Sequence, residues 1–344
     1  MTSSPWRLDP VASSDALRLL SGASCVLMPT HQNVDADGLS SPLAMMASLR
    51  QRGVRAVPLV TDDAIPANLE FLPGVEEVLV YGRDELPAYD MVCLIDCADR
   101  KRLGGFYRDD PTRLDGQLVP IVNIDHHVTN DRFGTVNIVQ PQAASAAEVV
   151  TDILASWGTE LTREIAQCLL SGIYGDTLGL RTDSTTSRTM RTAADLVDAG
   201  ANPVPIVDAL FRLKPRSSVC LWAKALQRVS WQGTLIYAEL TPDVFSSCGA
   251  TPVEAEGMVN FLLGTEGSLV AAILHRNAEG WRVSMRSMVP EVDVASIAAE
   301  FGGGGHPRAA GCSILGDIDA RDHFVQRVDE LAVSAMQAAH SGEA

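Results

Sequence analysis

The sequence predicts an α/β protein: a parallel-sheet domain followed by a smaller α/β domain. Three observations carry this expectation. In the first half, short apolar runs alternate with helical patterns. Those runs are almost continuously apolar, which marks strands buried on both faces by crossover helices. From Ser230 the pattern changes to more closely spaced strands, and a tract of four glycines appears at Gly302–Gly305.

The elements follow in order. Cys25–Thr30 reads as a strand and Leu39–Gln51 as a helix stopped by Gly53; Val54–Thr61, Val75–Tyr81, Met91–Ile95 and Leu118–Ile124 read as further strands. Ser145 and Glu148 have the spacing of a capping box and open a helix to Trp157, and a second helix is expected from Thr162 to Ile173. Residues 188–229 are helical in pattern but interrupted by Pro203, Pro205 and Pro215, and read as a connector. The expected domains are therefore 15–187 and 230–338. The second contains strands Leu235–Leu240, Leu269–His275 and Trp281–Arg286, and helices Pro252–Leu263, Asp293–Phe301 and Ala320–Met336.

At roughly 150 residues per domain, 344 residues accommodate two domains. The composition, 46% apolar and 20% charged, is that of a globular chain and excludes a disordered or fibrous one. No run approaches the roughly 18 apolar residues of a membrane span. Asp9 and Pro10 stand where a secretory apolar segment would begin, so a cytoplasmic protein without membrane association is expected. The 43 acidic and 27 basic residues leave a net charge of −16, which repels long duplex nucleic acid but admits a small phosphorylated substrate. The seven cysteines are odd in number and form no C-x-x-C pair, so reduced thiols are expected rather than a disulfide framework or a thiolate metal site.

Polar chemistry collects at strand ends. The first strand leads into His31, Asp35 and Asp37, the fourth into Asp96, and the fifth into Asp125, His126 and His127. A lone aspartate after a strand usually caps a helix or a turn. Three such ends in one parallel sheet share a crevice where ligands bind. Carboxylates brought together repel unless a cation compensates, and carboxylate with imidazole suits Mn²⁺, Mg²⁺ or Co²⁺. One turn carrying His31, Asp35 and Asp37 can serve two adjacent ions, with Asp96 between them.

These motifs resemble the DHH phosphoesterase family. His31-x-Asn33-x-Asp35-x-Asp37, Asp96, the Asp125-His126-His127 triplet and Gly172-Ile-Tyr-Gly-Asp176 fall in the family's order. Ser284-Met-Arg286-Ser287 and Gly302-Gly-Gly-Gly-His306 resemble the substrate-binding domain that accompanies DHH domains in nano-RNases and RecJ-type exonucleases. The resemblance covers about residues 20 to 320. Val34 and Gly38-Leu-Ser40-Ser41 depart from the family's usual Pro and Ala-x-Gly-Ser at those places.

The resemblance implies two divalent metal ions, Mn²⁺ foremost, with Co²⁺ or Mg²⁺ as substitutes. His31, Asp35 and Asp96 would hold one; Asp37, Asp96, His126 and Asp176 would hold the other. His127 would face the scissile phosphate and Asp125 would orient the imidazoles, so that Asp96, Asp125 and His127 form the catalytic set. A hydroxide shared by the ions would attack phosphorus. Arg286, Ser287, Gly303, Gly304, Gly305 and His306 would bind substrate, because consecutive glycines let backbone N–H groups cradle a phosphate. The implied substrates are short RNA oligonucleotides and adenosine 3′,5′-bisphosphate, held in a cleft between the domains. A cyclic or linear dinucleotide phosphodiesterase is the alternative; a RecJ-like single-strand exonuclease, a family II pyrophosphatase and a non-catalytic nucleotide sensor rank behind it. The oligomeric state stays open, a homodimer included.

Overall fold

A computed structural model describes residues 6–116 and 118–341, so part of the N-terminal stretch read above for a secretory segment, residues 1–5, lies outside the described residues. The chain divides into two compact units, Met1–Leu213 and Lys214–Ala344.

The first unit opens with helix α1 (Pro10–Ser21), strand β1 (Cys25–Pro29), α2 (Ala36–Gln51), β2 (Arg55–Val60) and the two-residue β3 (Leu79–Val80). There follow β4 (Met91–Ile95), α3 (Gly104–Asp109), β5 (Ile121–Asp125) and β6 (Val136–Val139). Helices α4 (Ala146–Ser156), α5 (Arg163–Asp176), α6 (Ser187–Asp198) and the short α7 (Pro203–Val207) complete it. The six strands form one parallel sheet in the order β3-β2-β1-β4-β5-β6. The order reverses between β1 and β4, so their carboxyl-end loops diverge and leave the crevice in which open α/β sheets bind ligands.

Strands β1, β4 and β5 are buried along their whole length. Their side chains alternate between two cores. Val26, Met28, Cys93, Ile95, Val122 and Ile124 pack with α2, α4 and α5 on one face. Leu27, Val92, Leu94 and Ile121 pack with Leu103 and Phe106 on the other.

The second unit comprises α8 (Arg216–Leu226), β7 (Ser230–Gln232), β8 (Leu235–Leu240), α9 (Pro242–Cys248), α10 (Met258–Leu263) and β9 (Val270–Arg276). It continues with β10 (Gly280–Ser287), α11 (Val294–Glu300), β11 (Gly304–His306), β12 (Ala309–Leu315) and α12 (Ile318–Ser341). Its sheet runs β11-β12-β10-β9-β8-β7, parallel only between β8 and β9. Val283, Met285, Ile297, Phe324 and Val328 form the core on one face, and Leu221, Val244, Met258, Ala271 and Ile273 the core on the other.

Several expectations are corrected. The division between the units falls inside the stretch 188–229 read as a helical connector: Leu196 belongs to the core of the first unit and Leu221 to that of the second. The run Val75–Tyr81 opens with a 3₁₀ turn at Val75–Glu77, entered through Gly74 at φ 82°, which leaves only Leu79–Val80 to pair. The expected helix Pro252–Leu263 is split at Gly257, which adopts φ 83°. Two cysteines are not reduced: Cys220 of α8 and Cys248 of α9 form a disulfide, while Cys25, Cys93, Cys97, Cys168 and Cys312 are free and buried. Among the described residues no helix is long and apolar enough to cross a membrane.

Candidate active site

The carboxyl ends of β1, β4 and β5 and the last residue of α5 deliver acids and imidazoles to one place. His31 Nε2 lies 3.3 Å from Asp96 Oδ2 and 3.7 Å from Asp35 Oδ1. His126 Nε2 lies 3.1 Å from Asp176 Oδ2 and 3.4 Å from Asp96 Oδ1. The two oxygens of Asp96 thus face two different histidines. Two groups able to hold a cation result, His31–Asp35–Asp96 and Asp37–His126–Asp176, and a third combines Asp96, Asp125, His126 and His127.

The donor atoms suit cations. His31 Nδ1 is 2.9 Å from Gln32 O and His126 Nδ1 is 3.3 Å from Ala143 O. A carbonyl only accepts, so each Nδ1 carries a proton and Nε2 is the ring atom turned toward the carboxylates, where it holds a proton or, once deprotonated, can ligate a cation. His31 Nε2 and Asp96 Oδ1 are buried without a hydrogen-bond partner: their ion-pair contacts are within range but not aligned for hydrogen bonds. Convergent, unpartnered donors of this kind are what a divalent ion would satisfy.

Charge in the cluster is strongly perturbed. Burial opposes protonation of His31 and His126, yet the facing carboxylates outweigh it and push them up to about 10 and about 12. Burial, with Asp96 nearby, raises Asp176 to about 6 against the pull of His126. Burial and the neighbouring Asp176 and Asp96 raise Asp37, whereas the two histidines hold Asp96 low despite its burial. Such perturbation, gathered in one crevice, is typical of functional sites.

Asp35, Asp37 and Asp125 are each anchored by backbone N–H groups. Asp35 caps α2, accepting from Gly38 N at 2.9 Å. Asp37 sits at the start of α4: its Oδ2 accepts from Ala146 N at 2.6 Å, and its Oδ1 from Ala147 N and Ser41 Oγ, both at 2.9 Å. A helix N-terminus favours negative charge, which steadies this fully buried carboxylate. Asp125 Oδ1 accepts from His126 N at 2.7 Å and from His127 Nδ1 at 2.8 Å. Its Oδ2 accepts from Asn130 Nδ2 at 2.6 Å. Asp125 therefore orients His127, whose Nε2 is left for another partner.

Positive φ angles cluster here as well. Among the described residues, those other than glycine with φ in the left-handed region are Asn33, Asp96, Arg132, Leu178 and Leu180. Every one lies in a segment that carries a member of the cluster, as expected where strain is stored at a site.

Some contributors were not singled out from sequence. Asp62 accepts from Asn33 N at 2.9 Å and Val34 N at 2.8 Å, fixing the turn between His31 and Asp35. Its position after β2, another strand ending in acids, was a usable signal. Asn130 left none, because its role depends on how the loop folds back on Asp125. Gly172 permits α5 to approach: a Cβ there would meet Asp37 Oδ1 at 2.5 Å and Ala147 Cβ at 2.7 Å. Gly172→Ala is expected to cost about 1–3 kcal/mol of stability, the range of an overpacked core. It should also displace Asp37, so a melting curve and a count of bound metal on the purified variant check both effects together.

In the second unit, Arg286 is half-buried at the end of β10, donates through Nη1 to Met285 O at 2.9 Å, and has no carboxylate partner among the described residues. Ser287 points inward: its Oγ donates to Val289 O at 2.7 Å, which commits it to a turn. Gly304 and His306 are exposed on the edge strand β11. At Gly303 a Cβ would lie 2.2 Å from Gly311 O, so only glycine allows this close approach. A surface hollow of about 380 Å³ lies against Gly302–Gly304 and is completed by Arg282, Ser284 and Ser313. Arg282, which looks like an ordinary solvated residue in the sequence, thus borders it. A hollow of about 440 Å³ lined by Arg50, Arg55 and Glu77 lies at the start of β2, the end of the sheet away from the acids.

Residues 25–173 match the N-terminal domain of the DHH family, and residues 232–334 match the DHHA1 domain. The bifunctional oligoribonuclease and PAP phosphatase NrnA of Thermus thermophilus is 34% identical over 313 residues, covering 89% of each chain. The chain belongs to the DHH family. It is a phosphoesterase of that family, and hydrolysis is its class of chemistry. The protein of the same name from Bacillus subtilis is 25% identical over 322 residues, 92% of this chain and 98% of that one. An exopolyphosphatase-related protein from Bacteroides fragilis shares the fold of this DHH protein, with TM-score 0.86 and 21% identity over 98% of this chain and 100% of that one. RecJ of Thermus thermophilus, solved with Mn²⁺, has TM-score 0.56 and 15% identity over 97% of this chain and 56% of its own.

Proposed function

We propose that this DHH phosphoesterase hydrolyses RNA oligonucleotides of a few residues to mononucleotides and converts adenosine 3′,5′-bisphosphate to AMP. One observation carries the reading: Asp96 presents its two oxygens to two separate imidazoles, the arrangement expected of a carboxylate shared by two cations. The names of the relatives support the substrate class. His31, Asp35 and Asp96 would hold one ion, and Asp37, Asp96, His126 and Asp176 the other, with Mn²⁺ the expected metal. When bound, the pair supplies an acidified water for attack on phosphorus and neutralises charge on the phosphoryl oxygens.

The chain's own residues do the rest. The peptide N–H groups of Ala146 and Ala147 keep the Asp37 carboxyl group in place. Asp125 accepts a hydrogen bond from His127 Nδ1–H, which aims Nε2; in the doubly protonated ring that Nε2–H can donate to a phosphoryl oxygen or pass its proton to the leaving oxygen, leaving the neutral imidazole. In the second unit, Arg286 can pair a phosphate bidentately, and the backbone of Gly303–Gly305 with His306 can cradle one. Ser287 contributes through the turn it caps.

Product analysis with Mn²⁺ tests the reading. The panel is a dinucleotide, a pentanucleotide, a 24-mer, adenosine 3′,5′-bisphosphate, a cyclic dinucleotide and pyrophosphate. Fast turnover of the dinucleotide, pentanucleotide and bisphosphate is expected, with the 24-mer slow. Preference for the cyclic dinucleotide would replace the reading with the alternative one. Arg286→Ala and His306→Ala should lower kcat/KM on the dinucleotide at least tenfold while leaving bound metal unchanged. A generic methyl nitrophenyl phosphodiester, with no far end to hold, should be affected much less; equal losses would place both residues in the catalytic centre.

A further inference from the structure

The segment after Asp176 has a conformation that metal binding does not explain. Leu178, Gly179 and Leu180 have φ of 49°, 74° and 65°, three consecutive residues in the left-handed region. That region is unfavourable for L-residues, and leucine has no short polar side chain to offset the cost. The turn is enforced from within. Buried Thr177 accepts from Leu180 N at 2.9 Å through its Oγ1 and from Arg181 N at 2.7 Å through its carbonyl, and Tyr174 O accepts from Gly179 N at 2.8 Å. Leu180 packs against the main core, which accounts for its side chain. Leu178 is 45% exposed.

What surrounds the turn indicates its use. A Cβ on Gly179 would lie 3.5 Å from Phe211 Cε2, so the Phe211 ring rests against the turn. Arg181 Nε donates to Leu178 O at 2.6 Å, and its guanidinium carbon is 5.7 Å from the centre of the Phe211 ring. The turn thus carries an exposed leucine and an arginine, and the Phe211 ring rests against it. Its first leucine Cα lies at most about 7.6 Å from the Cα of Asp176, two residues back.

A nucleobase is the ligand this chemistry receives, because its flat face stacks on aromatic rings and guanidinium planes. We propose that Leu178, Phe211 and Arg181 form the platform for the base next to the scissile phosphate, making the left-handed turn a specificity element of the reaction. The proposal rests on the nucleotide reading above. It requires the turn to be rigid, and the paired hydrogen bonds of Thr177 supply that rigidity.

The test compares wild type with Leu178→Asn and Leu178→Gly, since Asn and Gly both tolerate positive φ and leave the turn unstrained. Substrates are a dinucleotide and its analogue lacking the base next to the scissile phosphate. Wild type should prefer the base-bearing substrate. Both variants should lose that preference about 5–150-fold in the ratio of kcat/KM values, the range of one stacked base, with metal content unchanged and melting temperature no lower than wild type. Equal losses on both substrates, or loss of bound metal, would mean that the turn only positions Asp176 and would overturn the proposal, as would unchanged ratios. A wild type that hydrolyses neither substrate yet turns over pyrophosphate would overturn the nucleotide reading itself, which the variants do not address.

Discussion

Asp96→Asn is expected to abolish hydrolysis of every substrate, with kcat falling by more than the 10–100-fold typical of an outer-shell metal residue. Asparagine is the informative replacement. Asp96 has φ 62°, a conformation that asparagine accepts, whereas alanine adds backbone strain to the loss of charge. Asp96→Ala should therefore also be inactive, but with a lower melting temperature than Asp96→Asn. The chemical reason for inactivity is the same in both: with one charge removed between His31 and His126, two cations would repel across a short gap. Elemental analysis should find fewer than two ions per chain in either variant. Near-normal turnover with two ions retained would remove Asp96 from the shared position.

The strand ends were legible in the sequence because apolar runs buried on both faces are interrupted abruptly by His31, Asp96 and Asp125, and a parallel sheet places such ends together. The strand order was not, since nothing in the runs says that β4 pairs with β1 while β3 lies at the edge. Asn130 escaped notice because its bond to Asp125 depends on how the loop folds back, whereas Asp62 carried a signal in its position after β2. Ser287 illustrates a signal present but unused. Trp281, Val283 and Met285 alternate inward along β10, so the period of two already assigns Ser287 to the buried face and Arg282, Ser284 and Arg286 to the other. The glycine tract reads as a loop, yet Gly304–His306 pairs with Ala309–Gly311 as an edge strand, because glycines free of Cβ atoms let two backbones meet. The Cys220–Cys248 pair is 28 residues apart in sequence, and only the packing of α8 against α9 brings its partners within bonding reach.

Removing divalent metal should abolish activity, and restoring Mn²⁺ or Co²⁺ should recover it. The ligand set is imidazole and carboxylate without thiolate, which favours these ions over a structural zinc. A second readout does not depend on turnover. Ions that bind the folded chain and not the unfolded one stabilise it by about 2.7 kcal/mol at a hundredfold excess over Kd. At about 2–4 °C per kcal/mol for a unit of this size, each ion should raise the melting temperature of the first unit by at least about 5 °C. Asp37 and Asp96 are buried and Asp176 is half-buried beside them, so their repulsion is what the ions relieve. The rise should therefore shrink sharply in Asp96→Asn and persist in Arg286→Ala, whose side chain belongs to the other unit. Melting of all three proteins with and without Mn²⁺ after exhaustive chelation makes the comparison. A metal-independent melting temperature in the wild type, with full activity in the chelated enzyme, would remove cations from the mechanism.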